Sequence, residues 1–325
     1  MTANPEISVI VLTYNQEQTI GMTLDSILMQ QCGFPYEIVV SDDGSTDATR
    51  SVVTRYARAF PTVVRLLPRH ERKGIVGNYF HALSHCRGAL IADCAGDDCW
   101  CGLHSLQRKR DVMAENPDAA VVHSDWVRLD MSGQQPERLP SDSEGLHARW
   151  RRDFPDGRFL LAPAIGSCGI PLIHLSTALY RKDIIEEAMT ADRNMVENEA
   201  WGCEDLPVVA ALLASGRGVR WIPEPTLVYT SGNPSISSPE KAADQARFYL
   251  AVSRMTEALA RHYGVERAEI GDALSSKLHY AVSRAIDAGD RELLKTIRTF
   301  ISDKKIRRPL GDRLKECLKS VLSLR

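Results

Sequence analysis

Residues 7–12 (ISVIVL) form an unbroken apolar run that ends in the polar trio Thr13-Tyr14-Asn15. A run without alternation is what a strand buried on both faces of a parallel sheet requires. Behind it Ile20, Leu24, Ile27 and Leu28 recur at helical spacing. The unit then repeats. Residues 36–40 (YEIVV) run into Ser41-Asp42-Asp43-Gly44-Ser45-Thr46-Asp47, where Gly44 permits a tight turn and Ser45 or Thr46 can cap a helix to about residue 60. Strands are predicted at 63–67, 89–93 and 119–127, with helices over 77–86 and 103–115. Alternation at this length implies βαβ units and right-handed crossovers.

Residues 130–163 are polar, rich in Gly and Pro and weakly periodic, the character of a long excursion that serves as a lid or binding loop. A strand at 177–181, helices over 182–189 and 204–214, and short strands at 219–222 and 226–229 follow. From 239 onward strand signals vanish. Amphipathic helices are predicted over 239–262, 267–288, 291–301 and 310–324. The expected organisation is an α/β domain over 1–235 and a helical region over 236–325.

Composition changes this picture in a few places. With 325 residues and 44% hydrophobic positions, the chain can bury a full core without disulfide or metal staples. A formal charge of -2 excludes a globally basic nucleic-acid binder and an acidic disordered chain. That total hides an asymmetry. Residues 295–325 hold ten Lys/Arg against three acids, a net +7, which leaves −9 for the rest. No apolar run approaches the roughly 20 residues that span a bilayer, and residues 1–6 are polar, so a cytosolic protein is expected. The eight cysteines then read as reduced thiols, mostly buried. Cys94, Cys99 and Cys101 with His104 match no common two-by-two zinc spacing and read as ordinary packing.

Ligands of open parallel sheets sit outside the carboxyl ends of the strands. Here those ends deliver Thr13-Tyr14-Asn15, Asp42-Asp43 and Asp97-Asp98. Each acidic pair alone is also a plain turn or cap sequence. Together on separate strand ends, four carboxylates repel one another unless a cation sits among them. Mg²⁺ or Mn²⁺ meets that need, preferring carboxylate oxygens and substrate phosphates. The dinucleotide Gly-x-Gly-x-x-Gly, the P-loop and the Gly-x-Ser-x-Gly elbow are all absent, so a phosphate-bearing ligand must be held by metal and side chains.

The blocks SVIVLTYN, EIVVSDDGSTDAT, KGIVGNYFHAL with RGALIADCAGDDCW, and WGCEDLPVVAAL resemble, in this order over residues 6–232, the family 2 glycosyltransferases of GT-A fold. The resemblance implies a Rossmann-like, mostly parallel sheet with flanking helices, followed here by the C-terminal helical region. It also implies an inverting transferase that moves a sugar from a nucleotide sugar to an acceptor hydroxyl, in cell-surface polysaccharide or glycolipid synthesis. By the same resemblance Thr13 and Tyr14 line the nucleotide pocket, and Asp43 accepts a hydrogen bond from the base. Arg72 contacts base or phosphate, and Asp97 serves the ribose or bound waters. Asp98 ligates Mn²⁺ or Mg²⁺ bridging the donor diphosphate, and Asp205 of the Glu204-Asp205 pair is the general base. An acceptor carboxylate at Asp43 suits the N–H of uracil or thymine, which favours a UDP- or dTDP-sugar.

Trp100, Trp201 and Glu204, beside the acidic motifs, are candidates for sugar or acceptor contact. So is His174, in the stretch 165–177. His81, His85 and His104 read as packing or surface residues. Two departures from the family pattern stand out. Ala95 occupies a position that is acidic in many relatives, and Tyr229-Thr230-Ser231-Gly232 stands where many carry Tyr-Arg-x-His. Both imply a metal shell with one protein ligand fewer, completed by water and phosphate, or a nucleotide-binding scaffold that has lost catalysis. A nucleotidyltransferase lacks support, since no early Gly-rich segment with Arg and Lys is present. The basic tail has Leu310, Leu314, Cys317, Leu318 and Val321 at near-helical spacing. It is either a solvated helix or a strip lying on an anionic membrane beside a lipid-linked acceptor.

Overall fold

β1 (Ile7–Thr13) is buried along almost its whole length and pairs in parallel with β2 (Tyr36–Asp42) on one side and β4 (Leu90–Asp93) on the other. The computed structural model describes residues 4–130, 137–140, 148–167, 171–231 and 239–306. Among them one sheet runs in the order β3-β2-β1-β4-β8-β6-β9-β5, with β7 (Glu137–Pro140) paired to β6. β3 (Val64–Leu66) extends the parallel set, and β8 (Leu179–Arg181) enters antiparallel between β4 and β6 (Ala119–Asp130). Parallel pairing resumes between β6 and β9 (Gly218–Ser231). Helices α1 (Ile20–Leu28), α2 (Thr49–Ala59), α3 (Gly74–His85) and α4 (Ser105–Glu115) connect and cover the first strands. The sheet is parallel where the sequence alternates strand and helix, and mixed beyond it.

Three elements differ from the sequence reading. The two short strands expected at 219–222 and 226–229 are one strand, β9. Pro223 and Pro225 cannot donate to a ladder, and the register slips there: Ile222 pairs with Ser124, Leu227 with Trp126. Cys99–Trp100, where no strand is predicted, forms the short strand β5 against Val228 and Leu227. The helix expected over 182–189 continues as α5 (Lys182–Val196), broken at Asp192. It is followed by α6 (Asp205–Ala214). In the excursion 130–163, β7 is described, as are single helical turns at Ala148–Trp150 and Gly157–Leu160. Its remaining stretches 131–136 and 141–147, and the basic tail from 307 with its expected helix 310–324, lie outside the described residues.

The chain divides into two units. The first comprises Met1–Leu160, Leu172–Glu199 and Glu204–Gly232 and holds the sheet. The second comprises Leu161–Pro171, Ala200–Cys203 and Asn233–Arg325. In the second, α7 (Ala242–His262) and α8 (Arg267–Asp287) bury Leu250, Met255 and Leu259 and Ile270, Leu274 and Leu278, and α9 (Arg291–Asp303) buries Ile297. A capping box between Glu266 and Glu269 starts α8. Among the described residues, no helix is long and apolar enough to cross a membrane.

Candidate active site

The first wall of the site is built where β1 and β2 end. Asn15 takes a left-handed conformation (φ 51°), which its short polar side chain tolerates. Its carboxamide oxygen accepts from the Thr46 backbone N–H at 2.9 Å, and its own N–H donates to Ser45 Oγ at 2.9 Å. Gly44 (φ +81°) makes the turn between them. Asp42 is turned into the fold, accepting from the Ser45 N–H at 3.1 Å and lying 3.5 Å from Arg50. Asp43, 5% exposed, accepts the backbone N–H groups of Lys73 (2.7 Å) and Gly74 (3.1 Å). Each of its oxygens keeps a second lone pair. Arg72 approaches Asp43 at 3.7 Å and lies over the Tyr14 ring, 4.1 Å from its centroid. Thr13 Oγ1 is buried without a hydrogen-bond partner among the described residues. Thr13, Tyr14, Asp43 and Arg72 are thus brought together.

The second wall is the loop after β4. Its Gly96 packs against the end of β1 so closely that a Cβ there would lie 2.4 Å from Gln16 Oε1 and 3.0 Å from Leu12 O. Only glycine fits. The Gly96 N–H donates to Leu12 O (3.0 Å), and Thr19 Oγ1 donates to Gly96 O (2.9 Å). Asp97 follows, half-buried; burial raises its carboxyl above the ordinary range, against a hydrogen bond from Gln16. Asp98 is 1% exposed. Its Oδ1 accepts the Thr230 N–H of β9 at 3.1 Å, and its Oδ2 makes no hydrogen bond of good geometry among the described residues. Burial, then the neighbouring Asp97 charge and to a smaller degree Asp205, push the Asp98 carboxyl well above the ordinary range.

Asp205 stands at the first turn of α6, with Glu204 before it. A helix N-terminus favours a carboxylate, yet burial raises Asp205 to about 6. Glu204 is raised further, first by burial and then by the Asp205 charge. Asp93, at the end of β4, joins this group. Burial pushes it up to about 8, against a hydrogen bond from Tyr180, whose hydroxyl also bonds that of Tyr79. Beneath the loop, Lys109 is fully buried, 5.3 Å from the Trp100 ring centroid, and burial lowers it to about 7. Five carboxylates therefore share one electrostatic neighbourhood in which each opposes its neighbours' ionisation.

A buried carboxylate oxygen without a hydrogen bond of good geometry, set among other acids, fits a hard divalent cation. Among the described residues no group of three or more His, Cys, Asp or Glu is placed to hold a metal, so the protein's share of such a shell is small. Ala95 contributes no oxygen side chain. Thr230 holds Asp98 through its backbone, and Gly232 lies outside the described residues.

Trp100 and Trp201, expected as sugar contacts, are both buried. Trp100 is 5% exposed, its indole N–H donating to Ser176 O at 3.2 Å, so its ring is core rather than a platform. Trp201 is 7% exposed and belongs to Ala200–Cys203 of the second unit. His70, His81 and His85 stack in succession, ring centroids 4.6 Å apart, as packing on and beside α3. Cys94 donates to Asp98 O and Cys101 to Pro225 O. Cys86 and Cys94 are buried, while Cys32, Cys99, Cys101 and Cys203 are half-buried. Sequence reasoning missed Gln16, Ser176 and the Thr230 backbone. Their only signal is polarity beside a strand end.

Similarity to known proteins agrees with this arrangement. Residues 8–188, more than half of the chain, match the profile of glycosyl transferase family 2. An uncharacterised protein of Mycobacterium tuberculosis is 31% identical over 148 residues, 46% of this chain and 41% of that protein. The UDP-Glc:alpha-D-GlcNAc-diphosphoundecaprenol beta-1,3-glucosyltransferase WfgD of Escherichia coli is 32% identical over 110 residues, 34% of this chain and 42% of that protein. The match thus spans less than half the length of these relatives. Among solved structures, the mannosyltransferase PcManGT from Pyrobaculum calidifontis, in complex with GDP-Man and Mn²⁺, superposes with a TM-score of 0.58 at 20% identity, over 99% of this chain and 86% of that one. That likeness is one of fold. With the strand-end carboxylates in place and more than half of the sequence matched, the chain belongs to the family 2 glycosyltransferases and has their GT-A fold.

Proposed function

We propose that this protein transfers a sugar from a nucleoside-diphosphate sugar to an acceptor hydroxyl with inversion at the anomeric carbon, and that it needs a divalent cation. The observation that carries the reading is Asp98, buried beside the charges of Asp97 and Asp205, with the Thr230 N–H and the Ser176 hydroxyl as its only nearby donors among the described residues. Asp98 would hold Mn²⁺ or Mg²⁺ together with the donor's phosphate oxygens. A cation there supplies Lewis-acid stabilisation of the departing diphosphate.

The chain's own groups do the rest. Tyr14 and Arg72 flank the base, and the free lone pairs of Asp43 accept its N–H, which favours uracil or thymine. Asp97 serves the ribose. Asp205, ionised at neutral pH, takes the acceptor hydroxyl's proton as the hydroxyl attacks opposite the leaving group. One displacement inverts the centre without a covalent intermediate. The relatives support this reading: WfgD takes UDP-Glc by its name, and the mannosyltransferase structure holds GDP-Man with Mn²⁺. WfgD's diphosphoundecaprenol acceptor also suits a lipid-linked substrate in surface glycan synthesis.

The test is nucleoside diphosphate release from UDP-Glc, UDP-GlcNAc, dTDP-Glc and GDP-Man, with MnCl₂ and with EDTA. Release from a uridine or thymidine donor that EDTA abolishes is expected. No release from any donor would overturn the transferase reading, and release that EDTA leaves intact would overturn the metal.

A further inference from the structure

Trp126, His174 and Tyr229 form a cluster of rings that the reading above leaves unused. Trp126 stands on β6 and Tyr229 on β9, while His174 precedes the helical turn Leu175–Thr177. The ring centroids are 5.7 Å apart for Trp126 and His174, 5.6 Å for Trp126 and Tyr229, and 5.2 Å for His174 and Tyr229. Every ring touches the other two. Trp126 is 8% exposed and the other two are half-buried, so the indole backs the cluster and the His174 and Tyr229 rings carry its accessible surface. His174 Nδ1 accepts the Ser176 N–H at 3.3 Å and is therefore unprotonated. The neutral ring carries its proton on Nε2, a donor.

The cluster is tied to Asp98 along two routes. Thr230, next to Tyr229, donates its N–H to Asp98 Oδ1 at 3.1 Å. Ser176, two residues from His174, receives the Trp100 indole N–H at 3.2 Å. Its distance from the base wall is also defined. Asp43 follows β2, and β6 lies four strands along the path β2-β1-β4-β8-β6. At ~4.8 Å per strand that separation is about 19 Å. A base seated at Asp43 therefore leaves these rings uncovered. Asp125, next to Trp126, pairs with Arg151 at 2.9 Å, and Arg128 stands opposite Tyr229 in the β6–β9 register.

We propose that Trp126, His174 and Tyr229 are the acceptor subsite and that their occupant is a pyranose. Its C–H face lies on the rings and one of its hydroxyls accepts from His174 Nε2. The electropositive C–H edge of a pyranose suits the negative face of an aromatic ring, and few polar groups on an apolar floor are how small-ligand sites set orientation. The subsite rests on the transferase reading and narrows its acceptor to a sugar ring, as opposed to an open-chain polyol.

The test uses the full chain with MnCl₂ and UDP or GDP. Saturation-transfer NMR reads binding of methyl β-D-glucopyranoside, methyl α-D-mannopyranoside and N-acetylglucosamine, with glycerol and ribitol as open-chain probes, and calorimetry reads nucleotide affinity. At least one pyranoside should bind through its C–H face while glycerol and ribitol do not. Tyr229→Ala and His174→Ala should each weaken it by about fivefold, a loss of the size one aromatic contact provides. Tyr229→Phe, which keeps the ring, should retain binding, and nucleotide affinity should stay within about twofold in all three variants. Pyranosides that fail to bind while UDP or GDP binds, equal binding of ribitol, or loss of nucleotide affinity together with pyranoside affinity would overturn the subsite alone. If the unaltered protein binds neither UDP nor GDP, the transferase reading falls, and the subsite with it.

Discussion

Asp205 is placed between two opposing influences. The N-terminus of α6 favours its anion, and burial disfavours it more, leaving the group at about 6. A general base works best with a pKa near the operating pH, where it is ionised yet still drives proton transfer. The sign follows: the carboxylate is the active form, so kcat/KM should rise with pH through about 6 and then level. Because Glu204 titrates in the same neighbourhood, the limb belongs to the pair. Asp205→Asn should lower turnover by about 10³ and remove the limb, with UDP affinity unchanged by calorimetry. Near-normal turnover in that variant would end the base assignment. This residue was nameable as a candidate from sequence because WGCEDLPVVAAL resembles the family motif. The groups that hold its partners were not, since the bond from Thr230 to Asp98 spans 132 positions and uses a backbone N–H.

Among the elements, β2 is divided between two duties. Its carboxyl end leads to Asp43. Near its other end Glu37, 1% exposed, gathers Ser8 Oγ of β1 (2.7 Å), the Arg65 guanidinium of β3 (3.0 Å) and the backbone N–H and guanidinium of Arg87 (2.8 and 2.7 Å). Burial alone would raise this carboxyl, but the Arg87 bonds, then Ser8 and Arg65, outweigh it and hold it below the ordinary range. A depressed folded pKa means stability that is complete above the unfolded value and is lost as pH falls through the folded one. Glu37→Ala should therefore cost about 3 kcal/mol at pH 7, the lower end for a broken buried pair because both arginines reach solvent. Urea unfolding between pH 3 and 7 should show a flatter acid arm than the unaltered chain. An unchanged midpoint would show the network to be idle.

The hydrophobic runs made β1, β2 and β4 legible, because strands buried on both faces leave no polar alternation to misread. They could not reveal that β9 is continuous. Pro223 and Pro225 look like a break in one dimension, and only pairing with β6 carries the strand across it. Nor could they reveal β5, two residues whose strand character exists only against Leu227 and Val228.

For the molecule as a whole, the buried acidic cluster of the candidate site works against stability. Asp93, Asp97, Asp98, Glu204 and Asp205 come from separate segments, and all are held above the ordinary carboxylate range chiefly by burial. For each, the folded state prefers the proton more than the unfolded chain does, so stability is lost as pH rises toward neutrality. A bound cation would reverse that penalty, and mass action then adds RT ln(1 + [L]/Kd), about 2.7 kcal/mol at a hundredfold excess over Kd. Asp98→Asn separates these effects, since the amide oxygen still accepts from Thr230 while the buried charge is gone. In EDTA at pH 7.5 the variant should melt at or above the unaltered protein. With MnCl₂ and UDP the unaltered protein should rise by several degrees and the variant should not, and its transfer activity should be lost. An Asp98→Asn protein that is less stable in EDTA yet still stabilised by Mn²⁺ would show that Asp98 is a structural acid and that the cation is held elsewhere.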